Sequence, residues 1–516
     1  MSRREGRRAG SRDVGRAALG SLIWLLVWVG AVLAAAGLWI RAAFGVVSVD
    51  QLQMNLIGAE TGGAAIVWRG VIWVGVVPTL VVGVLIVLVH LSRRSLRDAS
   101  LLGAGAPRVS RVIAGVLACA LPIAALSVGG ALFGGAVQVR DYARSVASGL
   151  DLGDYAVAPE LEGGEPRNLI LVYLESVEDA MADDTRFEED MLAPVSAATA
   201  DWERLDALTQ APGGGWTMAG VVATQCGIPL RSATAATGSQ ILNQVGEQPG
   251  RYLPGATCLG DVLQEQGYRN VFLGGADATF AAKERFLREH GYDEVRDLRT
   301  WRDQGEPESA MRDWGLGDRR LLELAADEAA ELHRSGDPFN LTVLTLDTHE
   351  PAVAPEGCDM NTREPMTAIT RCSMTEVAGF VEALDAEGIL DDTAVVVMGD
   401  HLKQVASWAS FHDELGPLAD ADASLAPGQT PERTIFNRVW NPEPLAFARE
   451  QIDQLSLYPT LIELAGLRLT DHRAGLGVSA FASEIPDGSA LALDADAYDA
   501  LLRSRSADFY RDLWSG

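Results

Sequence analysis

Four short apolar segments each lead into polar residues of a catalytic type. They are 169–174 before Glu175, 271–273 before Asp277, 341–346 before Asp347-Thr348-His349, and 394–398 before Asp400-His401. Fully apolar segments of this length are typical of parallel strands buried on both faces, and ligands bind outside the carboxyl ends of such strands. One Asp at such a place commonly caps a turn or a helix. Because polar residues follow all four predicted strands, we expect a ligand-binding site at this edge of the sheet, although one such residue alone would not predict it.

Glu175, Asp400 and His401 together form a plausible divalent-cation site. Two carboxylates and an imidazole suit Mn²⁺ or Zn²⁺, whereas Mg²⁺ is less favoured by a nitrogen ligand. The alternative interpretation is that Glu175 and Asp400 are only caps or surface acids.

A hydroxyl nucleophile is expected beside that cation. The segment 213–217 is Gly-Gly-Gly-Trp-Thr, and an apolar stretch follows it. A helix that starts at Thr217 would direct its first N–H groups at an anion, and a cation could activate the hydroxyl. Two alternatives stay open: Thr217 caps the helix and nothing more, or Thr224 is the nucleophile.

Lysine is rare in this chain. Among 42 basic residues only Lys283 and Lys403 are lysines, and each lies a few residues beyond one of the polar strand endings. An ammonium group acts as a compact point charge for phosphate. Chance placement is the competing explanation for two residues.

The elements that must position these side chains belong to the α/β class with a mainly parallel central sheet, because apolar strands alternate with helical patterns. Helices are expected at 318–333, 376–386 and 455–465, and 402–450 is expected to be mostly loop. We predict a polar connector at 138–166, a catalytic domain at 167–480 and a peripheral tail at 481–516.

The front of the chain predicts a membrane domain, residues 1–137. Apolar runs at about 17–40, 70–91 and 112–137 are each long enough to cross a bilayer. Arginines precede the first run and lie between the second and third, which predicts a cytoplasmic N-terminus and an extracytoplasmic catalytic domain in the plasma membrane. The net charge is −28 over 516 residues, although residues 1–136 hold 13 Arg and 5 acids. The acidic remainder argues against a nucleic-acid partner.

Four of the five cysteines fall outside the apolar runs, which is compatible with two disulfides in an oxidising compartment. Nearness in sequence favours Cys226–Cys258 and Cys358–Cys372, although four cysteines allow three connectivities. A cysteine-only metal site is less favoured, because the chain has no CxxC spacing.

Several segments resemble the bacterial phosphoglycerol transferases and lipoteichoic acid synthases of the sulfatase and alkaline phosphatase superfamily. They are 215–220 (GWTMAG), 224–230 (TQCGIPL), 258–261 (CLGD), 280–283 (FAAK), 313–316 (DWGL) and 346–349 (LDTH). The similarity extends over roughly 165–402 and more weakly over 459–466. It implies a sulfatase-like fold for the outer domain and supports the four outer cysteines.

The resemblance also implies roles for individual residues. It makes Thr217 the nucleophile and a metal ligand, beside Glu175, Asp400 and His401, with Mn²⁺ as the expected ion and Mg²⁺ or Zn²⁺ as alternatives. It places substrate phosphate at His349, and it places glycerol phosphate at Asp277 and Lys283. The lipoteichoic acid synthases carry a His before this Asp and Trp-x-Arg after it, where this chain has Gly275, Ala281 and Lys283, so the glucan-type transferases are favoured.

The expected reaction transfers phosphoglycerol from phosphatidylglycerol in the lipid bilayer to a glycan or glycerol-phosphate acceptor, through a phospho-threonine intermediate. The alternatives are a phosphoethanolamine transferase and a sulfatase-like phosphodiesterase or hydrolase. A sulfatase would need Cys or Ser in a C/S-x-P-x-R segment, which is missing at the GWT position. A catalytically inactive lipid- or glycan-binding protein is a further alternative, and metal binding would discriminate against it.

Overall fold

The computed structural model describes residues 2–49, 52, 68–101, 108–147, 149–231 and 251–515. The chain divides into two units. One contains residues 1–49 and 63–140, and the other contains residues 50–62 and 141–516.

The first unit is helical. Its described helices are α1 (Ser2–Phe44), a π-helical segment (Val71–Val76) that continues as α2 (Val77–Leu101), and α3 (Arg108–Ala136). Within them three stretches are long and apolar enough to cross a membrane: Ala18–Phe44, Trp68–Ser92 and Cys119–Ala136. They coincide with the three runs expected from the sequence.

Glycines let α1 and α3 approach closely. A Cβ atom on Gly30 would lie 2.4 Å from the carbonyl carbon of Ala125, and one on Gly129 would lie 2.2 Å from the carbonyl oxygen of Gly30. Small residues allow such contact between apolar helices. The next helix along the chain is α4 (Val139–Ala147).

The second unit is built around a mixed sheet. In the part of the chain that the structure describes, this sheet has six strands in the order β5-β4-β6-β2-β7-β8, parallel except for antiparallel β8. Its strands are β2 (Asn168–Leu174), β4 (Arg269–Gly274), β5 (Glu294–Arg296), β6 (Phe339–Leu344), β7 (Thr393–Gly399) and β8 (Asn437–Trp440). Short pairs form elsewhere between β1 (Leu161–Gly164) and β10 (Leu467–Leu469), β3 (Ala207–Thr209) and β9 (Gln451–Asp453), and β11 (Arg473–Ala474) and β12 (Gly477–Val478).

Helices cover both faces of this sheet. They are α5 (Ala193–Ala198), α6 (Thr217–Cys226), α7 (Leu259–Glu265), α8 (Lys283–Glu289), α9 (Leu298–Asp303), α10 (Asp318–Ser335), α11 (Pro365–Ala386), α12 (His412–Asp422), α13 (Gln454–Leu464), α14 (Ala495–Leu502) and α15 (Ala507–Ser515). Single 3₁₀ turns lie at Leu152–Asp154, Asp179–Ala182, Phe280–Ala282, Glu308–Ala310, Ile389–Asp391, Thr470–His472 and Ala490–Ala492.

The alternation of side chains along β2 shows why its sequence is apolar throughout. Leu171 and Tyr173 enter the core on one face, with α6, α7 and α13. Val172 and Leu174 enter the core on the other face, with α10 and α11. Both faces of this strand are buried, as expected for a parallel strand between two helical layers.

Three segments contain more structure than the sequence pattern indicated. The predicted connector 138–166 holds α4 and β1, and β1 pairs with β10. The predicted loop 402–450 holds α12 and β8. The segment 481–516, expected to be peripheral, buries Leu501, Tyr510 and Trp514 against the core. Its apolar runs, 490–493 and 500–502, are short and lie among charged residues, so composition alone did not reveal their packing.

Candidate active site

The register of the central strands brings two acids together. Leu174 lies opposite Gly399 in the parallel pair of β2 and β7, so Glu175 and Asp400 follow at the same edge. The backbone N–H of Asp400 donates to the carbonyl oxygen of Leu174 at 3.0 Å, which extends the pairing by one step. The convergence predicted at the carboxyl ends of these strands is therefore present for both residues.

Glu175, Asp400 and His401 form a buried cluster whose ligand atoms all lie within 4.8 Å of one another. The Nε2 atom of His401 lies 3.7 Å from Glu175 Oε1 and 3.6 Å from Asp400 Oδ2. The Nδ1 atom of His401 is 2.9 Å from the carbonyl oxygen of Leu402. Since a carbonyl only accepts, Nδ1 carries the proton and the Nε2 lone pair is left for a cation.

The side chain of Asp400 has one oxygen that is suited to bind a cation. Its Oδ1 atom accepts the N–H groups of Ser176 and His401, each at 2.8 Å. Its Oδ2 atom is buried without a hydrogen-bond partner. A buried carboxylate oxygen that faces a second carboxylate and an imidazole lone pair is costly unless a cation binds there. The donor set O, O, N suits Mn²⁺ or Zn²⁺.

The electrostatics of the cluster agree with this interpretation. Burial, together with the negative charge of Glu175, raises the pKa of Asp400 to about 7. Burial would also raise the pKa of Glu175, but attraction to the imidazoles of His349 and His401 when they are protonated, with the hydrogen bond from Ser176, outweighs burial and lowers that pKa to about 2. Burial opposes protonation of His401, yet the two carboxylates raise its pKa.

Thr217 begins helix α6 beside this cluster. Its hydroxyl Oγ1 donates to Glu175 Oε2 at 3.2 Å. The preceding residue, Trp216, is extended and offers no side-chain cap. Gly220 allows the close approach, because a Cβ atom there would lie 2.1 Å from the carbonyl oxygen of Asp400.

The competing hydroxyl, that of Thr224, is placed differently. Thr224 is fully buried and its Oγ1 bonds to the carbonyl of Gly220 at 2.9 Å and to the hydroxyl of Tyr173 at 2.5 Å. These contacts lie inside the core between α6 and the sheet, so of the two hydroxyls it is that of Thr217 that lies at the cluster.

His349 lies near the cluster with one ring nitrogen fixed. Its Nδ1 atom is 2.6 Å from the carbonyl oxygen of Glu350, which also accepts the indole N–H of Trp314 at 3.0 Å. The Trp314 ring packs edge-on against His349, with 4.7 Å between centroids. Burial lowers the pKa of His349. This shift favours the neutral ring, in which Nδ1 donates to the carbonyl and Nε2 carries the lone pair.

Lys283 is the first residue of α8 and is only 6% exposed. Two consecutive residues in the left-handed region, Ala281 and Ala282, lead into it. Burial lowers the pKa of its ammonium group, while the nearby charges of Glu175 and Asp400 oppose that shift. Lys283 is thus a buried basic side chain whose pKa is influenced by the charges of Glu175 and Asp400.

The carboxylate of Asp277 is engaged locally. Its Oδ1 accepts the N–H and the hydroxyl of Thr279, at 2.8 and 2.6 Å, and lies 3.8 Å from Arg299 Nε. The negative charge of Asp277 raises the pKa of Lys283, against the larger lowering by burial. A direct role for Asp277 in binding substrate stays a prediction.

Lys403 is buried and supports the loop of His349. Its Nζ donates to the carbonyl oxygen of Thr348 at 2.8 Å and pairs with Glu350 Oε1 at 3.2 Å. Both contacts flank His349. Lys403 thus ties the loop after β7 to the loop after β6.

Ser176 and Gln454 also hold the site, and sequence reasoning missed both. Ser176 follows Glu175 directly, and its Oγ donates to Glu175 Oε1 at 2.6 Å. Gln454 begins α13 and donates from Nε2 to the carbonyl oxygen of Asp400 at 2.8 Å. The position of Ser176 beside Glu175 was a usable signal, whereas Gln454 lies just before the predicted helix 455–465, where no local pattern linked it to Asp400.

A second group of potential ligands, Cys258, Asp261 and His290, is satisfied without a cation. Cys258 is bonded to Cys226. Asp261 Oδ2 accepts the N–H of Cys258 at 2.8 Å and lies 2.7 Å from His290 Nδ1. We therefore interpret this group as part of the structural core and not as a metal site.

The structure contains both disulfides that nearness in sequence favoured. Cys226–Cys258 joins the end of α6 to the start of α7, and Cys358–Cys372 joins the loop after His349 to α11. Each bond therefore anchors a segment that begins or ends near the cluster.

Comparison with known families covers most of the second unit. Residues 167–467 match the family model described as Sulfatase. The chain is also similar to phosphoglycerol transferase I of Xanthomonas campestris pv. campestris, with 34% identity over 379 residues that cover 70% of this chain and 50% of that protein. It is 32% identical over 261 residues to phosphoglycerol transferase I of Escherichia coli, covering 49% of this chain and 33% of that protein. The chain thus spans between a third and a half of the length of these relatives.

Among solved structures, the fold is similar to that of the lipoteichoic acid synthase LtaP from Listeria monocytogenes. The TM-score is 0.50 at 14% sequence identity, over 73% of this chain and 98% of that one. At this identity the likeness concerns the fold alone.

Proposed function

The chain belongs to the sulfatase family, and from that premise we propose that it is a membrane-anchored phosphotransferase that moves phosphoglycerol from phosphatidylglycerol to a hydroxyl acceptor. The relatives named phosphoglycerol transferase I support the transferred group. The acceptor that we propose is a glycan.

One observation carries this proposal: the Thr217 hydroxyl lies 3.2 Å from Glu175 Oε2, within a buried set of cation ligands. A divalent cation held by Glu175, Asp400 and His401 would neutralise charge on the phosphate and favour the ionised hydroxyl. Mn²⁺ is the ion that we propose.

In the first half of the reaction, Thr217 Oγ1 attacks the phosphorus of the lipid. An Oγ1–P bond forms and the P–O bond to diacylglycerol breaks, which leaves a glycerophospho-threonine. The hydroxyl of Thr217 gives up its proton, and the leaving alkoxide of diacylglycerol takes one. In the second half the oxygen of an acceptor hydroxyl attacks the same phosphorus: a new O–P bond forms, the Oγ1–P bond breaks, the acceptor hydroxyl loses its proton, and Thr217 Oγ1 takes one to become a hydroxyl again.

Three features of this chain would stabilise the phosphoryl oxygens. The first-turn N–H groups of α6 have no side-chain cap and lie at the nucleophile. The buried ammonium of Lys283 supplies a positive charge. His349 presents Nε2, which accepts a proton in the neutral ring and donates one when charged, so it suits transfer to the leaving oxygen and from the acceptor.

The membrane helices suit a lipid donor, because they keep the catalytic unit at the bilayer surface. We propose that the N-terminus is cytoplasmic and that the catalytic unit is extracytoplasmic. The arginines before the first span and between the second and third favour this orientation, and the two disulfides favour an oxidising compartment.

The decisive experiment incubates the full-length protein with Mn²⁺ and phosphatidylglycerol labelled in its glycerol head group. We expect the label on Thr217 or on an added glycan, with diacylglycerol as the co-product. Label released only as free glycerol phosphate would indicate a hydrolase. No turnover of this lipid, with turnover of head-group-labelled phosphatidylethanolamine, would indicate a phosphoethanolamine transferase.

A further inference from the structure

Ser176 occupies a strained position between the two acidic ligands. It is 5% exposed and its backbone φ is 56°, a left-handed conformation that residues other than glycine rarely adopt. Such strain persists only where the surroundings impose it, and it concentrates at functional sites.

This conformation gives Ser176 contacts that a straight strand could not. If β2 continued extended, consecutive side chains would point to opposite faces of the sheet, and Ser176 would point away from Glu175. Instead its Oγ donates to Glu175 Oε1 at 2.6 Å. Its backbone N–H donates to Asp400 Oδ1 at 2.8 Å.

The bond to Asp400 occupies Oδ1 and not Oδ2, the oxygen that lies 3.6 Å from His401 Nε2, whereas the bond to Glu175 holds Oε1, which itself lies 3.7 Å from His401 Nε2. With Oδ1 of Asp400 held by two N–H groups, its Oδ2 is left unpartnered in the cluster. With Oε1 of Glu175 held by Ser176, its Oε2 is left to meet Thr217. Among the described residues, Ser176 alone donates hydrogen bonds to both carboxylates.

We propose that Ser176 is a positioning residue, which sets the orientation of Glu175 and Asp400 for binding the divalent cation. The inference rests on the proposed function, because it assumes that this cluster holds an ion. Hydrogen bonds from a neighbouring residue to metal-binding side chains commonly govern metal affinity by 10- to 100-fold.

Two substitutions separate the hydroxyl of Ser176 from its backbone conformation. Ser176→Gly removes Oγ, keeps the N–H and suits a positive φ. Ser176→Ala removes Oγ and keeps the N–H, but it retains the unfavourable φ. We expect both variants to bind Mn²⁺ about 10- to 100-fold more weakly than the wild type in calorimetric titrations of the full-length protein.

Ser506→Gly is the matched control. Ser506 is also a buried serine with a positive φ, 42°, and its Oγ accepts the N–H of Leu152 at 2.8 Å. We expect its Mn²⁺ affinity to equal that of the wild type. Thermal unfolding of every variant without metal reports whether the fold is retained.

Two results would overturn the inference, and they are distinguishable. Mn²⁺ affinity within about two-fold of wild type in a folded Ser176→Gly or Ser176→Ala protein would remove the role of Ser176 and leave the cation site standing. Failure of the wild-type protein to bind Mn²⁺ would remove the cation site of the proposed function, and the role of Ser176 with it.

Discussion

Thr217 depends on side chains that arrive from distant parts of the sequence. Glu175, Asp400 and His401 supply two acids and an imidazole, and a divalent cation bound among them would balance the charge of the carboxylates. The residues around the site hold these groups by hydrogen bonds at defined atoms, so individual substitutions give separable outcomes.

The hydroxyl of Thr217 is expected to be indispensable. Thr217→Ala should lower transfer by at least about 1,000-fold, the scale for loss of a nucleophile. The melting temperature should change little, because Thr217 is partly exposed at the start of α6. Thr217→Ser keeps a hydroxyl and should retain measurable turnover in the same head-group assay. Near-normal turnover by the alanine variant would exclude Thr217 as the nucleophile.

Removal of the negative charge of Asp400 should abolish the stabilisation of the protein by a divalent cation. Mn²⁺ at about 100 times its Kd should stabilise the wild-type protein by about 2.7 kcal/mol, reversibly on chelation. Asp400→Asn should show no such shift in thermal unfolding, because the unpartnered Oδ2 loses its charge. Asp179→Asn is the control, since Asp179 bonds to Thr434 outside the cluster. An unchanged Mn²⁺ shift in Asp400→Asn would argue against this site.

A second acidic pair, Asp318 and Asp347, should make stability depend on pH. Burial, with the negative charge of Asp318, raises the pKa of Asp347 to about 8. The unfolded pKa is about 3.9, so the folded protein binds the extra proton and loses stability as pH rises between these values. Between pH 5 and 8 the free energy of unfolding of the wild type should therefore fall more steeply with pH than that of Asp347→Asn. Parallel pH profiles would contradict this assignment.

At the scale of elements, the site is an edge where parallel strands end and one helix begins. The register of β2 with β7 sets Glu175 beside Asp400, and the closeness of α6 to the end of β7 sets Thr217 near both. Such closeness requires a glycine, because a Cβ at position 220 would lie within 2.1 Å of a backbone oxygen.

Gly220→Ala should therefore displace α6 from the ligands. A misplacement of about 1 Å can lower turnover on the order of 100-fold, although the variant keeps every polar side chain of the site. Gly379→Ala in α11 is the control, since a Cβ there meets nothing within 4 Å. It should leave turnover unchanged and stabilise the helix by about 0.5–1 kcal/mol. Equal turnover in the two variants would show that the close approach is not required.

At the scale of the whole molecule, the chain separates into a helical membrane unit and a unit with its own core on both faces of a sheet. The match over residues 167–467 confirms the family that the motifs suggested. The segment 481–516 contributes to this core, so a catalytic fragment must include it.

A fragment of residues 141–516 is expected to fold with both disulfides and to bind Mn²⁺ like the full-length chain. Its transfer from phosphatidylglycerol in vesicles should be much slower, because the membrane unit raises the effective concentration of the enzyme at the lipid. Binding by calorimetry and transfer by head-group label measure the two effects. Equal transfer by the fragment and the full-length protein would remove the proposed contribution of the membrane unit.

The sequence alone determined the features that depend on local pattern. Apolar runs identified the membrane helices and the central strands, because burial and span length are encoded in consecutive residues. The acids after β2 and β7 were predictable as neighbours, since parallel strands end at one edge. The placement of Thr217 beside these acids was expected from the short motif around it.

Only the tertiary structure decided how these groups are held. The left-handed turn at Ser176, the bond from Gln454 to Asp400 and the carbonyl of Glu350 that fixes His349 all depend on packing between distant segments. The burial that raises the pKa of Asp400 to about 7 has the same origin. A sequence specifies residue types one by one, whereas desolvation and hydrogen-bond partners are properties of the assembled core.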